Sequence, residues 1–177
     1  MSNGKIIAVV GGTNEGKTTF IKNRFASQCK KKNILCYARM RTDFSEDKNI
    51  KVLTNFMTFI DEANGENDTL CIIDEAFTCL PKTLHVKMDN PNHPHNKLSD
   101  FLVNSRKANR FVIIIYHAWQ QIPSEWLIPY LDYVVRFNTN DQMQYQVQRF
   151  KSFPNIANNL MEVPVIEKYK PKILKLK

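Results

Sequence analysis

The sequence has few glycines, few cysteines and no long apolar segment. Its 177 residues include five glycines and four cysteines, and its longest uninterrupted apolar run, residues 111–116, has six residues. A helix that crosses a membrane needs about 18 or more apolar residues in succession, so membrane insertion is not expected. The chain also starts without the basic leader and cleavage site of a secretory signal peptide. These absences predict a cytoplasmic protein with one main domain.

The cysteines show none of the spacings that metal sites and redox motifs need. No two of them form a Cys-x-x-Cys pair, and each lies inside or beside a segment of regular apolar periodicity: Cys29, Cys36, Cys71 and Cys79. Cysteine in such positions usually behaves as a small buried apolar residue. We therefore expect reduced thiols rather than disulfides or a metal centre.

Acidic residues are too few to balance the basic ones. Lysine and arginine number 25 against 17 aspartates and glutamates, which leaves a net charge of +8. Residues 167–177 contain five of the lysines and a single glutamate, so much of the excess is at the C-terminus. Such a tail either is a solvated, frayed end or contacts the phosphates of a nucleic acid. Charge alone leaves both interpretations open.

Apolar runs of strand length alternate with helical periodicity along the chain. Helical periodicity begins at Lys17 and recurs at 52–63 and 97–109. Strands are predicted at 5–10, 33–40, 70–74, 110–117 and 132–140. This alternation predicts an α/β fold with a mainly parallel central sheet of about five core strands flanked by helices.

The C-terminal part of the sequence has weaker patterns than the rest. Polar and apolar side chains alternate weakly in residues 144–150, so an edge hairpin is one interpretation of that segment. Prolines interrupt the remaining residues up to the basic tail. We therefore divide the chain into a core, 1–140, and a short β or irregular extension with a basic tail, 141–177.

Three of the five glycines lie close together, in the segment GGTNEGKTT at 11–19. Gly11, Gly16, Lys17 and Thr18 match the pattern G-x-x-x-x-G-K-[ST], which follows a predicted strand and opens a predicted helix. Backbone N–H groups of such a loop and the helix N-terminus bind a polyphosphate, and glycine permits the close approach. This segment therefore predicts a P-loop, the phosphate-binding loop of nucleotide triphosphatases.

Each residue type in the P-loop suits a particular contact with ATP and Mg²⁺. Lys17 is expected to contact the β- and γ-phosphates and to be catalytic. Thr18 is expected to ligate Mg²⁺ through its hydroxyl, and Thr19 to donate to the α-phosphate. The full predicted nucleotide-binding set is Gly11, Gly12, Thr13, Asn14, Glu15, Gly16, Lys17, Thr18 and Thr19.

Two adjacent carboxylates, Asp74 and Glu75, follow the buried strand predicted at 70–74. An acid at the end of such a strand costs several kcal/mol if it is desolvated and unpaired, so a cation is expected nearby. Asp74 is expected to hold Mg²⁺, and Glu75 to polarise the water that attacks the γ-phosphate. The alternative for Glu75 is a helix-start acid that favours the positive end of the helix dipole.

The order of these motifs resembles a known group of ATPases. The strand at 33–40, between the P-loop strand and the acid strand, is similar to the additional-strand, RecA-like P-loop ATPases. The segment NSRKANRFVIIIYHAWQQIP at 104–123 resembles the FtsK–HerA lineage, in which a helix ends in Arg plus a basic residue and the next strand ends in a polar sensor. Small size and the lack of a membrane segment are most similar to its viral genome-packaging ATPases. The resemblance covers roughly residues 5–137.

This resemblance implies roles for two further residues. Arg106 corresponds to the arginine finger, a catalytic residue that acts on a neighbouring subunit's nucleotide, and Arg110 is the alternative. His117 corresponds to the catalytic sensor, although the lineage usually has Gln there, and Gln120 or Gln121 could take that role.

The same resemblance implies a function. It implies an ATP-hydrolysing motor that translocates DNA as a ring such as a hexamer, with a capsid or portal protein as a candidate partner. A viral motor of this kind would work in the host cytoplasm or at the virion vertex.

Two other functions remain open from the sequence. One is a nucleotide or polynucleotide kinase. The other is an ATP-dependent assembly or switch protein similar to the zonula occludens toxin-like phage factors, which usually carry a membrane anchor. A kinase releases ADP only with a phosphate acceptor, a motor releases free phosphate, and a switch does neither quickly.

Overall fold

The computed structural model describes residues 4–13, 16–27, 33–40, 43–87, 89–137, 160–162 and 172–176. The predictions for Asn14, Glu15, Cys29 and the hairpin at 144–150 lie outside the described residues.

An eight-stranded sheet forms the centre of the molecule. Its strands are β1 (Lys5–Val10), β2 (Asn33–Tyr37), β3 (Lys51–Leu53), β4 (Thr69–Ile73), β5 (Phe111–Tyr116), β6 (Tyr133–Arg136), β7 (Leu160–Glu162) and β8 (Lys172–Leu176). Their order across the sheet is β3-β2-β4-β5-β1-β6-β8-β7. The first six strands are parallel, and β8 pairs antiparallel with β6 and β7. The predicted α/β fold with a mainly parallel sheet is confirmed; β3, β7 and β8 were not predicted.

The spatial order of the strands differs from the order in which they follow one another in sequence. β1 pairs with β5 on one side, in register from Lys5 opposite Phe111 to Val10 opposite Tyr116. β5 in turn pairs with β4, so β5 is the strand that separates the P-loop strand from the acid strand. The strand at 33–40 was expected in this place, which was wrong, because β2 lies beyond β4. An additional strand therefore does separate the P-loop strand from the acid strand, but that strand is β5 and not the strand at 33–40.

In the part of the chain that the structure describes, three α-helices cover the sheet. They are α1 (Lys17–Ile21), which continues as a π-helical turn at 22–26, α2 (Phe56–Gly65) and α3 (Pro94–Asn104). The side chain of Asn55 caps α2 by accepting from the Thr58 N–H at 3.0 Å. Short 3₁₀ turns lie at 43–46, 76–78, 119–121 and 128–130.

The bounds of α3 differ from the predicted helix at 97–109. The helix begins at Pro94, because proline has no N–H to lose in a first turn and His93 caps the helix. It ends at Asn104, and Asn109 then takes a left-handed conformation with φ 53°. The N–H of Arg110 returns to the Ser105 carbonyl at 2.8 Å, which closes the turn and starts β5.

Both faces of the sheet are buried, as expected for parallel strands with helices on each side. Alternate residues of β1 separate into two clusters. Ile6, Ala8 and Val10 pack on the side of α2 and α3. Ile7 and Val9 pack on the side of α1. The apolar run that predicted β1 is continuous because each of its residues meets one cluster or the other.

The basic C-terminal segment contributes a strand to this sheet. Residues 172–176 pair with 133–136, from Lys172 opposite Arg136 to Lys175 opposite Tyr133. The interpretation of this stretch as a frayed end was therefore wrong for residues 172–176, while nucleic-acid contact stays a prediction. The division at residue 140 also stays a prediction. Within the residues that the structure describes, no helix is long and apolar enough to cross a membrane.

Candidate active site

The loop between β1 and α1 forms the first part of the site. β1 ends at Val10, and the Gly11 N–H donates to the Tyr116 carbonyl at 3.2 Å, which ties the loop to the end of β5. Gly16 has φ 82°, a left-handed conformation that glycine adopts without strain. The segment therefore has the strand–loop–helix context that the phosphate-binding motif requires.

Lys17 lies over this loop rather than in solvent. The residue is 7% exposed, and Nζ donates to the Gly12 carbonyl at 2.6 Å. This contact places the ammonium group beside the backbone that the motif predicts to bind phosphates. Among the other predicted contacts, Thr18 is half-buried, while Thr13, Gly16 and Thr19 are exposed.

The two acids lie at the same edge of the sheet, where the parallel strands have their carboxyl ends. Every residue of β4 is buried, and the Asp74 N–H donates to the Tyr37 carbonyl at 2.9 Å, so Asp74 is held against the end of β2. Asp74 Oδ1 accepts from the Glu75 N–H at 3.0 Å. Glu75 itself has φ 48° and ψ 46°, in the left-handed region. The chain therefore turns sharply between the two carboxylates.

His117 follows β5 and lies next to Glu75. Its Nε2 is 4.0 Å from Glu75 Oε1, and its ring meets that of Phe77 edge-on with 5.6 Å between ring centroids. Gln121 Oε1 accepts from the N–H groups of His117 and Ala118, at 2.9 and 3.1 Å. Of the sensor candidates, His117 therefore has its side chain beside the acid, while Gln121 holds the backbone of the turn.

The donors predicted for Mg²⁺ fit this ion. Thr18 and Asp74 supply hydroxyl and carboxylate oxygens, which are the donors that Mg²⁺ prefers, and Mg²⁺ usually keeps several waters. One strand, β5, separates β1 from β4, so the ends of these two strands are roughly 10 Å apart. A gap of this size suits an ion that Thr18 and Asp74 would hold together with phosphate oxygens and water.

Arg106 lies at the amino ends of the parallel strands, whereas the P-loop lies at their carboxyl ends. It was predicted within the helix, but α3 ends at Asn104, and Arg106 is in the turn that follows. Its guanidinium donates to Asp132 Oδ1 at 3.0 Å, and Asp132 Oδ2 accepts from the Ile6 N–H at 2.9 Å, near the start of β1. The Arg106 side chain is 54% exposed. It cannot reach its own P-loop from there, whereas a second molecule could meet it.

Arg110, the alternative finger, is a structural residue. It is 3% exposed, and its guanidinium donates to the carbonyls of Glu66 and Asn64, both at 2.9 Å. It also lies over the Phe101 ring, 5.9 Å from the centroid. A side chain held in this way binds the end of α2 and is not available to another subunit.

Tyr37 is part of the site although no sequence motif pointed to it. Its carbonyl accepts from the Asp74 N–H and so holds the first of the two acids. The one signal available was that Tyr37 lies near the end of a predicted strand, at the edge where ligands of parallel sheets bind.

Comparison with known proteins supports the fold of this chain only. No protein-family model matches the sequence, and no curated protein is similar enough to count as a match. Among solved structures, the genome-packaging NTPase B204 from Sulfolobus turreted icosahedral virus 2, in complex with ATP-gammaS, has a TM-score of 0.61 at 17% identity, over 99% of each chain. The DNA-packaging ATPase B204 from Sulfolobus turreted icosahedral virus has a TM-score of 0.61 at 16% identity, over 100% of each chain.

A more distant likeness is to the N-terminal domain of zonular occludens toxin from Neisseria meningitidis, with a TM-score of 0.45 at 12% identity over 78% of this chain and 79% of that one. The B204 structures confirm the expected resemblance to viral genome-packaging ATPases at the level of the fold.

Proposed function

We propose that this chain is a Mg²⁺-dependent ATPase that translocates DNA, and that it packages a viral genome as a ring such as a hexamer. One observation carries the ATPase part. The P-loop with Lys17, the acids Asp74 and Glu75, and His117 all lie at the carboxyl edge of one sheet. This edge is where ligands of parallel α/β sheets bind. The packaging part is supported by the fold that the chain shares with B204.

The residues divide the chemistry of hydrolysis among them. Lys17 and the loop amides would bind the β- and γ-phosphates, and Thr18 and Asp74 would hold a Mg²⁺ ion, whose charge would offset that of the phosphates. Glu75 accepts a proton from the attacking water. His117, 4.0 Å from Glu75 Oε1, senses the γ-phosphate and adjusts the position of that carboxylate. A base at Glu75 favours transfer of the phosphoryl group to water over transfer to a second substrate.

The ring is supported by the position of Arg106. The side chain is charged and more than half exposed, and it lies at the edge away from its own P-loop. An arginine that stabilises the transition-state charge must approach the γ-phosphate closely, so Arg106 can act only on the nucleotide of a neighbour. Repeated head-to-tail contacts of this kind close into a ring.

DNA as the polymer is supported by the charge of the chain and by its likeness to B204. The net charge of +8 favours binding to a polyanion. B204 from Sulfolobus turreted icosahedral virus is a DNA-packaging ATPase. A capsid or portal protein is the expected further partner of such a motor.

Phosphate release with and without DNA tests this proposal. Wild-type protein should release phosphate from ATP without any acceptor, and faster with DNA. Lys17→Ala should lose nucleotide binding, and Glu75→Gln should bind ATP and Mg²⁺ but stop turning over, because the substitution keeps the shape and removes the base. Lys97→Ala, which removes a surface lysine paired with Asp61 at 2.7 Å, is the matched control and should behave as wild type. ADP formed only with a nucleoside or polynucleotide acceptor would indicate the kinase instead.

A further inference from the structure

The backbone of Glu75 is in a conformation that glutamate rarely adopts. Among the described residues, three other than glycine have positive φ: Asp68 at 56°, Glu75 at 48° and Asn109 at 53°. Asp and Asn tolerate the left-handed region, because their short polar side chains bond locally. Here Asn109 Nδ2 donates to Asp68 Oδ1 at 2.9 Å. Glu75 has no such bond to explain it, so surrounding groups must hold it, as is common for strained residues at functional sites.

Thr78 makes the contacts that hold Glu75. Its backbone N–H and its hydroxyl both donate to the Glu75 carbonyl, each at 2.9 Å. Two donors on one carbonyl fix the peptide plane after Glu75. This peptide plane sets the direction in which the Glu75 side chain leaves the backbone.

Tyr37 lies on the strand next to these acids. Its carbonyl accepts from the Asp74 N–H at 2.9 Å. Its ring is fixed by α2: it meets Phe56 at 5.1 Å and Phe59 at 6.3 Å between ring centroids.

We propose that Thr78 is a positioning residue for catalysis, which holds the carboxylate of Glu75 in line for hydrolysis through the bonds of its N–H and its hydroxyl to the Glu75 carbonyl. This inference rests on the proposed role of Glu75 as the base. The neighbouring acid is held separately, because the Asp74 N–H donates to the Tyr37 carbonyl at the end of β2.

Removing the Thr78 hydroxyl tests this role. Thr78→Val keeps the shape and the backbone bond. It should lower kcat for ATP hydrolysis by roughly tenfold, the worth of one well-placed hydrogen bond, with nucleotide affinity and KM unchanged within about twofold. Thr78→Ser keeps the hydroxyl and should stay within about threefold of wild type.

Two controls remove comparable hydroxyls at the other edge of the sheet. Tyr133→Phe alters the first residue of β6. Thr69→Val alters the first residue of β4, whose hydroxyl donates to the Asn67 carbonyl at 3.1 Å. Both should keep the wild-type kcat, whatever they do to the melting temperature.

The outcomes separate this inference from the proposed function when Glu75→Gln is measured beside the other variants. If Glu75→Gln is inactive while Thr78→Val keeps the wild-type kcat, the positioning role is wrong and the ATPase stands. If Glu75→Gln turns over like wild type, the base itself is misassigned. A loss of rate that Thr78→Ser shares with Thr78→Val, or that follows melting temperature across controls and variants alike, would also overturn the positioning role.

Discussion

Replacing Arg106 with alanine separates a ring motor from a protein that works alone. The Arg106 guanidinium bonds to Asp132, which bonds to the N–H of Ile6. From Ile6 to Gly11 the strand rises by about 16 Å, at about 3.3 Å per residue. Charges in solvent are largely screened beyond about 8–10 Å at physiological salt. Within one molecule, Arg106→Ala should therefore change the rate of hydrolysis by less than about twofold.

Across an interface the expected effect is far larger. An arginine finger contributes about 10³–10⁵ in rate, so Arg106→Ala should lose at least three orders of magnitude in turnover while binding ATP normally. Unfolding cannot explain such a loss. The pair with Asp132 is half exposed on the arginine side and should contribute only about 0–1 kcal/mol to the free energy of unfolding. Lys97→Ala, which breaks a similar surface pair on α3, should leave the rate unchanged.

The assay is phosphate release per subunit as a function of protein concentration, with each variant alone and in mixtures. Wild-type specific activity should rise with concentration until rings form. Arg106→Ala mixed with an equal amount of Lys17→Ala should recover activity, because about a quarter of the interfaces in a random ring pair an intact P-loop with an intact finger. Activity that does not depend on concentration, together with a mixture as inactive as its components, would refute a finger at Arg106.

Three further predictions concern other parts of the molecule. Arg110→Met should lower the free energy of unfolding by roughly 2–3 kcal/mol, measured by urea denaturation, because it leaves two carbonyls at the end of α2 without their charged donor; a change within error would contradict its structural role. Burial raises the pKa of the thiols of Cys71 and Cys79 to about 12, which is above their value in the unfolded chain. The folded state therefore favours the protonated thiols. This contribution to the free energy of unfolding is complete below a pH of about 8.5 and is lost as the pH rises through about 12. Iodoacetamide at pH 8 should therefore label these two cysteines only after unfolding, and peptide mapping of the native protein would reveal an exception. DNA affinity should fall steeply with salt, and replacing the five lysines of 168–177 with glutamine should reduce the slope of affinity against salt concentration. Substitution is preferable to deletion because residues 172–176 form β8. An unchanged slope would place the DNA contacts elsewhere.

The parts of the fold that the sequence predicted are those that depend on local patterns. β1, β4 and β5 are continuous apolar runs because both of their faces are buried, and the P-loop is recognisable from a spacing that its chemistry requires. β3 was missed because it has three residues within a polar stretch and gains its identity only by pairing with β2. β8 was missed for a similar reason, since KILKL is a short, lysine-rich segment whose partner is about 40 residues earlier in the chain.

The candidate site divides in the same way. Lys17, Asp74 and Glu75 could be identified because each follows a strand or opens a helix, and the sheet brings such positions to one edge. The difference between Arg106 and Arg110 could not be predicted, because both are arginines four residues apart in the same turn. Burial distinguishes the two arginines: the Arg110 guanidinium meets the end of α2, and the Arg106 guanidinium meets Asp132 near the surface. Tyr37 was missed because the acid that its carbonyl holds, Asp74, is distant in sequence.

The place of β1 in the sheet has a consequence for how the protein folds during synthesis. The strand that leads into the P-loop is made about 100 residues before its two partners, because β5 and β6 begin after residue 110. At about 5–20 residues per second, this apolar segment waits on the order of 10 s before either neighbour exists. In that interval β2 and β4 can already pair with each other. The nascent chain therefore presents the P-loop on an unpaired strand, and the loop reaches its final place only once β5 has been made.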